Sequence, residues 1–168
     1  SSDVCSSDLF IARQYFRLPD DPVRLTVTIG DGADYMLAGE RCFDYILVDG
    51  FDPDACAGPL DTLPFYQACR ARLTGSGLLD VNLLGRNKGF AASVERIRTA
   101  FDGRVAVFPS CDSGNTIAFA TGGEPVAVTL DEMRARAQRL KTDSGLDLLS
   151  TISRLQLGHP LPDGLLRI

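Results

Sequence analysis

The sequence predicts a doubly wound α/β domain: an open, mostly parallel sheet with helices on both faces. Three observations carry that prediction. Segments of strand and helix character alternate along the chain, the pattern of parallel strands joined by crossover helices. The run Tyr45-Ile46-Leu47-Val48 is apolar without polar alternation, as a strand covered on both faces requires, and it stops at two carboxylates, Asp49 and Asp52. Finally, residues 104–108 and 115–120 are β-rich and joined by a short connection containing Pro109 and Gly114, which predicts an antiparallel pair.

The elements follow in order. Residues 1–9 (SSDVCSSDL) have no period and no core face, and no methionine opens them. They resemble the translation of a sequencing adapter, with a disordered polar terminus as the alternative, and they are set aside from the fold argument. In residues 10–17 the apolar positions Ile11, Tyr15 and Leu18 have helical spacing, so this reads as the end of a helix, closed by Pro19-Asp20-Asp21-Pro22. Residues 24–29 (RLTVTI) alternate and are rich in β-formers, which predicts a strand. Gly30-Asp31-Gly32 follows at once, then a short helix over 33–38 closed by Gly39.

The apolar strand over 43–48 comes next, then an irregular stretch over 52–60. Thr62 caps a helix over 64–73 with Pro64 in its first turn, and Gly75-Ser76-Gly77 ends it. Residues 78–84 (LLDVNLL) form a strand. Residues 91–101 form an amphipathic helix with Val94, Ile97 and Phe101 on one face. After the antiparallel pair, Gly122-Gly123-Glu124-Pro125 marks a boundary. A charged helix over 130–140, with Arg134, Arg136, Arg139 and Lys141 on a solvated face, a second helix over 146–157, and a loop at 159–162 complete the chain.

Composition bounds the function. The chain has 168 residues, enough for one domain with a core, and its 45% hydrophobic and 23% charged content is that of a soluble globular protein. A net charge of -5 argues against nucleic acid or an anionic membrane as partner. No apolar run approaches a membrane span, and no signal peptide is visible. Five scattered cysteines (Cys5, Cys42, Cys56, Cys69, Cys111) without a CxxC pair, and the single His159, argue against a zinc site and for reduced thiols in a cytoplasmic protein.

A last strand inserted antiparallel is the habit of the S-adenosylmethionine-dependent transferase version of the Rossmann-like sheet. The expectation is therefore such a fold, N-terminally truncated. Its first strand, glycine-rich loop and acidic second strand end are not found. Residues 10–122 form the partial catalytic domain, and 123–168 a C-terminal helical extension.

Acidic groups at the carboxyl end of a central parallel strand lie where open α/β sheets bind ligands. Asp49 and Asp52 are there, and Asp31 stands in a glycine-flanked turn after the preceding strand. Each has a structural alternative as a turn or cap residue. Asp54 and Asp61 read as solvated charges, Tyr66 as packing, and Asn82 as a buried group that must be hydrogen-bonded. His159 has no partner nearby in sequence.

GDGADYM, ILVDGFDP, FYQACRARL and GLLDVNLLG together resemble the spermidine synthase family (polyamine aminopropyltransferases) over residues 11–122. The resemblance implies transfer of an aminopropyl group from decarboxylated S-adenosylmethionine, a co-substrate rather than a permanently bound cofactor, to a polyamine such as putrescine. It implies that Gly30, Asp31 and Gly32 form the adenine-binding turn. It makes Asp49 the catalytic carboxylate that binds and deprotonates the acceptor amine, with Asp52 anchoring the polyamine, no metal, and a homo-oligomeric assembly. The chain departs from the family pattern in carrying Gly50 and Phe51, where serines are usual, and in lacking an aromatic residue at 109–114. Two other readings stand beside this one: a methyltransferase of the same fold using S-adenosylmethionine, and a non-catalytic domain that binds an adenosyl ligand.

Overall fold

A computed structural model describes residues 2–52, 56–85, 89–109, 114–158 and 161–168, with side chains from Ser7 onward. Pro53, Asp54, residues 110–113 and His159 thus lie outside the described residues, as does the Cys5 side chain. Among the described residues the central sheet has four strands in the order β1-β2-β4-β3: β1 (Phe43–Val48), β2 (Leu73–Leu84), β3 (Val105–Val107) and β4 (Asn115–Thr121). β1 and β2 pair in parallel, and β4 runs antiparallel to both β2 and β3. Three strands therefore point one way, and the last is inserted against them, as expected.

Because side chains alternate along a strand, β2 presents Leu79, Val81 and Leu83 to one face and Leu78, Asp80 and Asn82 to the other. On the first face, α2 (Gly32–Ala38), α3 (Leu63–Ala71) and α4 (Phe90–Ala100) bring Met36, Phe65, Cys69, Val94 and Ile97 onto Ile46, Val48, Leu79, Val81, Ala118 and Ala120. The helical spacing of Val94, Ile97 and Phe101 is the reason: all three are buried. Thr62 caps α3 as anticipated, accepting from the Phe65 amide at 3.3 Å.

On the second face residues 127–168 pack Leu155, Leu166 and Met133 against Ala106 of β3 and Phe108 to form a smaller cluster. There β5 (Ala127–Thr129) leads into α5 (Leu130–Ser144) through a Thr129–Glu132 capping box. Gly145 closes α5 with a left-handed φ of 78°, a conformation glycine adopts without a Cβ penalty. α6 (Leu149–Gly158) follows, and β6 (Leu165–Arg167) returns to pair antiparallel with β5. This segment is therefore not purely helical, since strand pairing ties its two ends together. The four basic residues on α5 are exposed, as expected.

Several expectations are corrected. Residues 24–29 are not a strand: a strand needs a neighbour to receive its backbone hydrogen bonds, and none of the described strands pairs with it. β1 is covered on one face only, with Ile46 and Val48 buried while Tyr45 and Leu47 are 51% and 63% exposed. The helix read at 10–17 begins at Ser2 as α1 (Ser2–Tyr15), and its apolar residues Phe10, Ile11 and Tyr15 are exposed rather than packed.

Gly75-Ser76-Gly77 does not end a helix but lies within β2, where the register to β1 jumps from Phe43↔Leu73 to Tyr45↔Leu78. A β-carbon at Gly77 would sit 3.0 Å from the Phe43 carbonyl oxygen and the Leu73 side chain. Gly39 terminates α2 in an extended, not left-handed, conformation. Its lack of a side chain instead admits the buried Arg72 guanidinium, which would lie 2.5 Å from a Cβ there. Arg72 donates to the Tyr35 carbonyl at 2.5 Å and the Arg41 carbonyl at 2.8 Å, and stacks on the Tyr35 and Phe43 rings. One side chain thereby ties α2 to the start of β1.

Candidate active site

The carboxyl end of β1 is where the two predicted motifs meet, and Leu60 joins them. A β-carbon at Gly32 or Gly50 would lie 3.2 or 2.7 Å from the Leu60 methyl groups, so both glycines admit that side chain. Around it opens a cleft of about 470 Å³ whose walls include Gly30, Asp31, Gly32, Asp52 and Leu60. Asp49 stands beside it, lining a smaller hollow with Gly32 and Leu60. All five predicted site residues are therefore gathered at one end of the sheet.

Their carboxylates are held differently. Asp31 is the N-cap of α2: its Oδ1 accepts from the Ala33 amide at 2.7 Å and the Asp34 amide at 3.1 Å. Asp52 organises its own loop, accepting from the Cys56 amide at 2.8 Å through Oδ1 while its amide donates to the Cys56 carbonyl at 2.9 Å. Asp49 is exposed, and its Oδ1 accepts from Asn82 Nδ2 at 2.9 Å. Asn82 is thus hydrogen-bonded, as its strand position demanded, and what it orients is the predicted catalytic carboxylate.

The sequence reading missed Asp80 and Tyr45. Asp80 lies one step down β2 from Asn82 on the same face and is only 8% exposed. Its Oδ2 accepts from the Tyr45 hydroxyl at 2.7 Å, and its Oδ1 is buried without a hydrogen-bond partner among the described residues, as is Asn82 Oδ1. Burial and the hydrogen bond to Asp80 push the Tyr45 phenol up to about 12. Burial, joined by the charge of Asp49 and opposed by the Tyr45 hydrogen bond, holds the Asp80 carboxyl above the usual carboxylate range. The period-two alternation of LLDVNLL was the available signal, since it sets Asp80 and Asn82 on one face.

A carboxyl whose pKa is raised by folding favours the native state only below its ordinary range, and that contribution is lost as pH rises through the raised value. Asp80→Asn should therefore raise the urea midpoint at pH 7, with the gain shrinking toward zero near pH 3; an equal midpoint at pH 7 would contradict the assignment.

Asp61 is the clearest correction among the acidic residues. It is not a solvated charge. Tyr66 donates to its Oδ1 at 3.0 Å, Ser93 to its Oδ2 at 2.6 Å, and Arg96 pairs with it. Tyr66 is fully buried, so the packing role expected of it holds, and burial together with Asp61 drives its phenol far above the ordinary range. Among the described residues no cluster of three His, Cys, Asp or Glu side chains forms a metal site, and none of Cys42, Cys56 and Cys69 is in a disulfide. No described helix is long and apolar enough to cross a membrane.

The sheet order, the antiparallel last strand and ligand-side carboxylates define a Rossmann-like fold of the S-adenosylmethionine-dependent transferase type. Solved structures agree. A spermidine synthase in complex with the transition-state analogue AdoDATO shares 30% identity, with a TM-score of 0.58 over 68% of this chain and 43% of the other. Human methyltransferase-like protein 13, in complex with SAH, shares 26% identity, with a TM-score of 0.69 over 82% of this chain and 66% of the other.

Sequence relatives narrow the class. Polyamine aminopropyltransferases of Neisseria meningitidis are 30% identical over 158 residues, covering 94% of this chain and 60% of theirs. That of Chromobacterium violaceum is 30% identical over 154 residues, covering 92% and 59%. The chain thus resembles the polyamine aminopropyltransferase, or spermidine synthase, family over nearly all its length, and spans about 60% of the length of these curated relatives. No protein-family model matches it.

Proposed function

We propose that these residues supply the acceptor side of an aminopropyltransferase, which moves an aminopropyl group from decarboxylated S-adenosylmethionine to a polyamine such as putrescine. The observation that carries this reading is the Asn82–Asp49 hydrogen bond at the end of β1, beside the Gly30-Asp31-Gly32 turn. An acceptor amine is protonated in water and has no lone pair for attack. Asp49 binds the ammonium and takes its proton, and Asn82 fixes the carboxylate that does so. The freed nitrogen forms a bond to the carbon beside the sulfonium, the carbon–sulfur bond breaks, and its electron pair neutralises the sulfur, releasing methylthioadenosine. Asp52 adds its negative charge to the attraction of the polyamine, and Gly30, Asp31 and Gly32 receive the adenine end of the donor.

The likeness to methyltransferase-like protein 13 favours a second reading, methyl transfer from S-adenosylmethionine. The two differ in product. A form spanning the relatives' full length, given decarboxylated S-adenosylmethionine and putrescine, should release methylthioadenosine only when the amine is present. S-adenosylhomocysteine from S-adenosylmethionine, with no methylthioadenosine from any diamine, would transfer the assignment to methylation. No product from either donor would leave adenosyl-ligand binding as the function.

A further inference from the structure

A second cleft, of about 480 Å³, opens on the sheet face opposite α3 and α4, between the end of β1 and α6. Its walls include Asp49, Asp80, Asn82, Phe108, Phe119 and Arg154. Two carboxylates and two aromatic rings are the surroundings that suit an alkylammonium, through charge and through cation–π contact. Arg154 is the opposing charge there, and its guanidinium is turned to the Pro109 carbonyl, to which it donates at 3.2 Å.

Asp80 is the unexplained member. It is more than nine-tenths buried, lines the cleft, and keeps Oδ1 without a partner among the described residues while Tyr45 engages Oδ2. Asn82 Oδ1 beside it is equally unpartnered. Buried acceptors in this state suit a donor brought by a ligand. The spacing says which kind. Asn82 carries Asp49 at 2.9 Å, and Asp80 is two residues down the same strand face. Two residues of strand advance about 6.6 Å, roughly the nitrogen-to-nitrogen reach of an extended four-carbon diamine.

We propose that Asp80, with the Asn82 side-chain carbonyl, is a second ammonium subsite. It receives the distal nitrogen of a diamine whose reacting nitrogen sits at Asp49, and so sets the length of acceptor the site takes. This rests on the aminopropyltransferase reading for the role of Asp49, but not on turnover, because binding alone reads it out.

The test is amine binding to the 168-residue chain by ligand-detected NMR, comparing 1,4-diaminobutane with 1-aminobutane. The native chain should hold the diamine about tenfold more tightly, the worth of one charge-assisted contact. Asp80→Asn should collapse that ratio to near one. Asp80→Glu, whose carboxylate reaches one methylene further, should shift the preference toward 1,3-diaminopropane, which a merely structural role for Asp80 would not do. A native ratio near one, a ratio that survives Asp80→Asn, or an optimum unmoved by Asp80→Glu overturns the subsite. Asp49→Asn should weaken both amines. If it weakens neither, the reading of Asp49 fails, whatever Asp80 does.

Discussion

Asp49→Asn should lower aminopropyl transfer by about 10²–10⁴-fold, the usual contribution of a positioned general base. The substitution keeps the shape of the side chain and an oxygen able to accept from Asn82, so the change falls on charge and basicity rather than on packing. Two losses combine. The amide no longer attracts the ammonium, which raises KM, and it cannot accept the proton, which lowers kcat. The second loss has its own test. A primary amine titrates near pH 10, so in the variant the rate should climb with pH as solvent supplies free amine, and the gap to the native protein should narrow above pH 9. Steady-state rates of methylthioadenosine release across pH 7 to 10, in a form spanning the relatives' full length, check this. A variant with native turnover at pH 7 would remove Asp49 from the chemistry.

Asp61→Ala should destabilise the fold by about 2–3 kcal/mol, or roughly 5–10 °C in Tm. The deletion leaves the buried Tyr66 hydroxyl without its acceptor, leaves the Ser93 hydroxyl, as donor, only its longer bond to the Gly89 carbonyl at 3.1 Å, and removes the counter-charge of Arg96. The Arg96 side chain is 33% exposed, and water recovers part of that last loss, which keeps the figure below that of a fully buried pair. Asp61→Asn should cost less, because its carbonyl can still accept from one of the donors. The consequence reaches the site. Asp61 closes the 3₁₀ turn Gly58–Asp61 that carries Leu60 across Gly32 and Gly50. Chemical denaturation of Asp61→Ala gives the stability change. A midpoint within error of the native one would mean that the Asp61 cluster contributes nothing to stability.

The division between what was legible and what was not follows the range of the forces involved. Periodicity along a single segment placed α3, α4, β1 and the β3–β4 pair, because helix and strand repeats are written in neighbouring residues. Local chemistry also marked Thr62 as a cap and the glycines of the site as special. The strand expected at 24–29 failed for the opposite reason: its β-branched residues satisfy propensity, but a ladder needs a second strand, which no local pattern can supply. Gly75-Ser76-Gly77 looked like a terminator because a bulge and a loop share the same residues, and only the register against β1 separates them.

At the site, sequence by itself determined that Asp49 and Asp52 follow the end of β1, since the residues that stop a strand are adjacent to it, and that Asp31 stands in a glycine-flanked turn, although the strand expected before that turn does not form. It also determined the resemblance to the aminopropyltransferases, because motif order survives without coordinates. Which carboxylate is a cap, which one Asn82 orients, and which lies buried with an unpartnered oxygen were decided only by the tertiary structure. Asp49 and Asn82 are 33 residues apart, and Tyr45 and Asp80 are 35 apart. It is the parallel pairing of β1 with β2, a contact between segments separated by a whole helix, that brings these side chains within hydrogen-bonding reach.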